Sequence, residues 1–187
     1  EQLTIIRSAR HFHNDFDALL HIGGEKFSLS RFDDQLGYLG ARHNTSCAAG
    51  TGSFLDQQAK RLNLNNIQEF SDLAFQNTGD YPKIASRCAV FAKTDLIHAQ
   101  QEGYTKQEIA DGLSFGLAKN IVDTLFNNTN FITPVLFCGG VSQNKAVTKH
   151  LSNLIGHELI IDKYSHLYGA IGAALNLIYS KRKEEFN

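Results

Sequence analysis

The stretch Pro134-Val135-Leu136-Phe137-Cys138 is apolar at every position, and it constrains the fold of this chain more than any other segment. Side chains alternate across a strand, so a strand that is apolar on both faces reads as one buried between layers. Gly139-Gly140 ends it. Upstream, Asp17 to Ile22 alternates, with Ala18, Leu20 and Ile22 on one face, and stops at Gly23-Gly24. A second strand is predicted from about Lys26 to Phe32, a turn at Asp33-Asp34, and a third strand from Tyr38 to Arg42. Three such strands in succession make an antiparallel meander.

Helical spacing follows. Phe54, Leu55, Ala59 and Leu62 share a face behind Gly50-Thr51-Gly52, and Ile67, Phe70, Leu73 and Ala74 mark a second, short helix. A further helix is expected over Phe91–Gln100. A long one carries Ile109, Leu113, Leu117, Ile121 and Leu125, opened by Thr105 with Glu108 three residues on, a capping-box pattern. After the apolar strand come a helix with Val147, Leu151, Leu154 and Ile155, a strand over 158–161, and a last helix from Tyr168 to about Tyr179. Gly169, Ala170, Gly172, Ala173 and Ala174 give that helix a small-residue face suited to close packing. A meander followed by strand–helix units, helices outside the sheet, is the ribonuclease-H-like α/β pattern. The reading is one domain over residues 1–187, and a chain of this length can bury a substantial core.

A net charge of −1 offers no basic surface for nucleic acid or membrane, and the apolar stretches fall short of the ~20 residues that cross a bilayer. Three cysteines, an odd number, point to a reducing compartment, the cytoplasm by default. The eight histidines show no ligand spacing, and His11 and His13 read as surface residues.

Three glycine turns stand at strand ends or helix starts: Gly23-Gly24, Gly50-Thr51-Gly52 and Gly139-Gly140. Glycine lets a backbone come close to a phosphate, and a helix start offers amide donors and a favourable dipole. One such pair signifies only a tight turn; three together point to a nucleotide site. The Gly-x-x-x-x-Gly-Lys-Ser/Thr loop and the dinucleotide Gly-x-Gly-x-x-Gly are both missing. Cys47 and Cys88 each precede a predicted helix, where a thiol is more acidic and a better metal ligand, though buried inert thiols would satisfy the same spacing. Two cysteines complete no tetrahedral site; a two-fold dimer supplying two each would hold an iron–sulfur cluster. Cys138, closing the apolar strand, reads as inert.

The run Asn44-Thr45-Ser46-Cys47-Ala48-Ala49-Gly50-Thr51-Gly52-Ser53-Phe54-Leu55 resembles the cluster loop of the activators of 2-hydroxyacyl-CoA dehydratases and the related ATPase subunits of benzoyl-CoA reductase. Cys88-Ala89-Val90-Phe91-Ala92-Lys93-Thr94-Asp95 is similar to that family's second cysteine segment. Residues 137–145 resemble its adenosine-side loop, and Gly169-Ala170-Ile171-Gly172-Ala173-Ala174 its closing helix. The resemblance implies an actin-like ATPase fold of the type shared with sugar kinases (the ASKHA group). It implies ATP or ADP with Mg²⁺, and a homodimer bridged by one [4Fe-4S] cluster held by Cys47 and Cys88 of each subunit. The implied partners are an electron donor such as ferredoxin or flavodoxin and a dehydratase or reductase component that receives the electron. Gly23, Gly24, Gly50, Thr51 and Gly52 would line the phosphate end, and Gly139, Gly140, Asn144 and Lys145 the adenosine end.

The chain also departs from that family. Its members have two lobes, and no first-lobe phosphate loop precedes Gly23, so the sequence reads as the second lobe alone. Where the family's second phosphate loop is Asp-Ile-Gly-Gly-Gln-Asp, this chain has His21-Ile22-Gly23-Gly24-Glu25-Lys26. Losing both acidic positions removes carboxylates for Mg²⁺ or water, and Lys26 adds attraction for phosphate but no general base. Two other readings follow: a non-catalytic pseudo-ATPase module for dimerisation or docking, and a small-molecule kinase of the same superfold, which leaves the cysteines without a role.

Overall fold

Strands β1 (Ala18–Ile22), β2 (Phe27–Phe32), β3 (Tyr38–His43), β4 (Val135–Cys138) and β5 (Leu159–Ile160) form one sheet in the order β3-β2-β1-β4-β5. The computed structural model describes residues 1–44, 51–85, 88–126 and 133–185. β1 runs antiparallel to β2, and β2 to β3, which is the expected meander. β4 then pairs parallel to β1, with Leu20 opposite Phe137 and His21 opposite Cys138, and β5 pairs parallel to β4. This is the ribonuclease-H-like topology.

The sheet is covered on both faces, as the apolar β4 requires. Ala18, Leu20 and Ile22 of β1 join Phe27, Leu29, Val135 and Phe137 in the larger core. Over that face lie helices α2 (Gly52–Arg61), α3 (Ile67–Gln76), α4 (Ala89–Gln101), α5 (Lys106–Leu125) and α6 (Lys145–Ile155). α5 is buried on most of its circumference because α3 and α6 close over it, and the capping box of Thr105 and Glu108 starts it as expected. On the opposite face Leu19, Leu136 and Cys138 pack against α1 (Gln2–Phe12) and α7 (Tyr168–Glu185) through Ile5, Ile6, Ala9 and Tyr168.

The sequence reading placed no element before Asp17, yet α1 is there. It buries only Ile5, Ile6, Ser8 and Ala9 of its eleven residues, too thin an apolar stripe to read as a helix without its partner. That partner is α7. A Cβ at Gly172 would lie 1.7 Å from the Thr4 carbonyl oxygen, so the helices touch through glycine. The small-residue face of α7 thus meets α1 at Gly172, whereas Ala170, Ala173 and Ala174 are exposed. His13, expected on the surface, is half-buried and its Nε2 lies 2.7 Å from Asp162 Oδ2, joining the end of α1 to the loop after β5. No described helix is long and apolar enough to cross a membrane.

Candidate functional site

In an open sheet, ligands bind beyond the carboxyl ends of parallel strands where the chain leaves neighbouring strands in opposite directions. β1 and β4 are such a pair: β1 leads outward to β2, and β4 to β5 on the other side. The turns Gly23-Gly24 and Gly139-Gly140 follow these two strands. A cleft of about 220 Å³ opens there, lined by Gly23, Gly24, Gly52, Leu55, Asp56, Ile67, Gln68, Ser71, Gly140, Val141, Gln143 and Asn144. Five of the residues expected from the sequence therefore converge: Gly23, Gly24, Gly52, Gly140 and Asn144.

The glycines are close to one another. The Gly52 and Ser53 amides each donate, at 2.9 Å, to the carbonyls of Gly23 and Gly24, which docks the start of α2 on the β1–β2 turn. A Cβ on Gly52 would stand 3.2 Å from the Gly23 oxygen. The first two amides of α2, expected as anion donors, are thus held by the protein's own turn. Thr51, the residue before α2, is fully buried and does not line the cleft. Gly139 has φ +95°, and a Cβ there would lie 2.3 Å from the Ile22 oxygen; it joins the two strand ends and lets Gly140 face the opening.

The other wall is polar. Asn144 caps α6, its Oδ1 accepting from the Val147 amide at 3.0 Å. Its Nδ2 is buried without a hydrogen-bond acceptor among the described residues. The Lys145 amide donates to Ser71 Oγ, and the Lys145 ammonium lies 3.0 Å from Asp72 on the surface. That ammonium's hydrogen bond holds the Asp72 carboxyl below its ordinary range. Lys145 adjoins the cleft through its backbone. Sequence reasoning did not single out Asp56, Gln68, Ser71 and Gln143; Asp56 is one turn into α2, Gln68 and Ser71 lie in the first turns of α3, and Gln143 is in the turn before α6, and only the packing of these elements brings them together.

His21 points to the opposite side of the sheet, as alternation requires, toward a cavity of about 200 Å³ whose lining includes Lys26, Ser28 and His43. Burial pushes the His21 imidazole below its usual pKa. The position is neutral or cationic where an acidic residue was the expectation for a hydrolytic site.

Cys47 and Gly50 lie outside the described residues. Cys88 is described: half-exposed, in extended backbone, it is the residue before α4, and its carbonyl accepts from the Ala92 amide at 2.9 Å. Beside it Val90 and Phe91 are 70% and 65% exposed. Cys138 is fully buried in β4, and burial drives its thiol pKa far above the ordinary range, so it is inert as expected. No cluster of three or more His, Cys, Asp or Glu side chains among the described residues is arranged to hold a metal ion.

A family model for the BadF/BadG/BcrA/BcrD ATPase family matches residues 6–176. The chain is 31% identical over 157 residues to the 2-hydroxyisocaproyl-CoA dehydratase activator of Clostridioides difficile, across 84% of this chain and 58% of that protein. It is 33% identical over 132 residues to the (R)-2-hydroxyglutaryl-CoA dehydratase activating ATPase of Acidaminococcus fermentans, across 71% of this chain and 50% of that one. It thus spans little more than half the length of these relatives. The solved structure of the Clostridium difficile 2-hydroxyisocaproyl-CoA dehydratase activator with bound ADPNP superposes with a TM-score of 0.91 at 25% identity, over 98% of this chain and 68% of that one.

Proposed function

The chain belongs to the BadF/BadG/BcrA/BcrD ATPase family, and from that premise we propose that it is the nucleotide-binding lobe of an ATP-dependent reductive activator for a 2-hydroxyacyl-CoA dehydratase-type enzyme. The observation that carries the reading is the convergence of two strand-end glycine turns and the start of α2 on one cleft at the switch point between β1 and β4. In this reading Gly23, Gly24 and Gly52 bound the phosphate end of ATP, with the buried Thr51 behind them. Gly139, Gly140, Asn144 and Lys145 shape the adenosine end, and Asp56 supplies a carboxylate for the hydroxyls of a ribose.

Cys88 suits a ligand role, being a free, half-exposed thiol at the start of α4. Together with Cys47 and the same pair from a second subunit it would hold a [4Fe-4S] cluster, which supplies low-potential one-electron transfer. The exposed Val90 and Phe91 give that thiol an apolar surround suited to a second copy of the chain and to a dehydratase component. Calorimetry with ADPNP and anaerobic iron and sulfide analysis test the reading. Micromolar or tighter nucleotide binding and about four Fe per dimer are expected. A colourless protein that ignores ADPNP would refute it, and full iron content in a Cys47→Ser variant would refute the ligand assignment.

His21 and Lys26 favour a second reading, a module that binds nucleotide without turning it over. In sequence, His21 and Lys26 replace the two Asp positions of the family's second phosphate loop, and both line the cavity on the far side of the sheet, so neither brings a carboxylate to the cleft. Phosphate release at the rate of buffer alone, with ADPNP binding intact, selects this reading over a working ATPase.

A further inference from the structure

α5 carries a buried carboxylate that none of the above employs. Asp111 Oδ1 lies 2.6 Å from His150 Nε2 on α6, both side chains less than a tenth exposed. Its other oxygen, Oδ2, accepts from Asn77 Nδ2 at 3.0 Å. Asn77 ends α3 and organises the segment beyond it: Nδ2 also donates to the Asp80 carbonyl at 3.2 Å, and Oδ1 accepts from the Gly79 amide at 3.2 Å. Tyr81 sets its ring edge-on to His150, 5.6 Å between centroids, and Gly112 leaves room on α5 for the Pro82 carbonyl. The same segment reaches Ala85, whose amide donates to Asp95 Oδ2 on α4 at 2.8 Å. Cys88 is the N-cap of that helix.

The other end of the chain of contacts is the cleft. His150 stands six residues, about 9 Å, along α6 from Asn144. Asn144 caps α6 and keeps a buried amide without an acceptor among the described residues. A ligand atom that accepts from that amide bears on the start of α6. A shift of α6 moves His150, and a buried charge-assisted hydrogen bond cannot be left unpaired without cost, so Asp111 and Asn77 follow.

We infer that His150, Asp111 and Asn77 are positioning residues that relay occupancy of the nucleotide cleft to the segment leading to Cys88. The inference rests on the reading of the cleft and of Cys88 given under the proposed function. Apolar side chains of similar size would fill the same space, but only the polar triad ties three helices to one register.

The test alkylates the metal-free chain with iodoacetamide, with and without saturating ADPNP, and follows the peptide bearing Cys88 by mass spectrometry. ADPNP affinity is measured separately by calorimetry. ADPNP is expected to change the Cys88 rate of the unaltered chain by about fivefold or more. In Asn77→Ala and His150→Leu that ratio falls to near one while ADPNP still binds, and His150→Gln, which keeps a donor toward Asp111, restores it. Circular dichroism melts identify the folded variants, and Asn77→Ala carries the test if His150→Leu does not fold. An unchanged ratio in the folded variants overturns the inference. Equal losses of ratio and ADPNP affinity, which mere damage to the core would produce, also overturn it. So does ADPNP binding to the unaltered chain with no effect on Cys88, which leaves the cleft reading intact. No ADPNP binding at all would remove the cleft reading and the inference together.

Discussion

Gly139 and Gly140 are adjacent and identical, yet their surroundings differ. Gly139 sits at φ +95° with the Ile22 oxygen where its Cβ would be, whereas a Cβ on Gly140 would meet nothing within 4 Å. Gly139→Ala is expected to lower stability by about 2 kcal/mol or more, and Gly140→Ala to change it by less than about 0.5 kcal/mol, both read from urea midpoints. Equal effects would show that the strand ends do not approach as described. His21 makes a pH prediction. Burial, partly offset by the charge of Glu1, lowers the imidazole pKa, so the folded chain binds fewer protons than the unfolded chain below the ordinary histidine value. The contribution to stability is complete above pH about 6.5 and is lost as pH falls toward the folded-state value. Comparing urea midpoints at pH 8 and pH 5.5 should show a smaller fall for His21→Gln than for the unaltered chain.

At the scale of elements, α1 and α7 depend on one contact. A valine at 172 cannot coexist with the Thr4 carbonyl in its present place, so Gly172→Val should lift α1 from the sheet. Cys138 lies beneath α1 in the smaller core, where burial keeps its thiol unreactive. Its alkylation at pH 8 is therefore expected to be negligible in the unaltered chain and to appear in the variant; protection in both would mean that α1 does not seal that face. The long α5 has a local requirement instead. Thr105 accepts from the Glu108 amide and Glu108 returns to the Thr105 amide, so Thr105→Ala should cost about 1 kcal/mol in a thermal melt. The capping box was legible in four residues, because both partners lie within one turn. α1 was not, because its few buried side chains acquire meaning only against a helix some 160 residues later.

At the scale of the whole molecule, a nucleotide that binds the cleft bridges α2, α3, α6 and the ends of β1 and β4. Binding to the folded state alone stabilises it by about 2.7 kcal/mol at a hundredfold excess over the dissociation constant. ADPNP should therefore raise the melting temperature, and Asn144→Ala, which removes a lining amide and a helix cap together, should lower both the melting temperature and the ADPNP-induced shift. A shift undiminished in that variant would place the ligand elsewhere.

The sequence by itself determined what short-range physics controls. The alternation of β1, the turns that separate β1 to β3, the two-faced apolar β4, the glycine turns and the cap of α5 each follow from a few neighbouring residues, and together they imply the sheet and the end of it that faces a ligand. Only the tertiary structure decided which groups meet. Gly52 lies on Gly23 and its amide is taken by the protein's own turn; Asp56, Gln68 and Ser71 join Asn144 around one opening; His150 finds Asp111, and Asp111 finds Asn77. Those meetings join residues some thirty to ninety positions apart, and they depend on how helices cross the sheet, a property of packed volumes that no local pattern encodes.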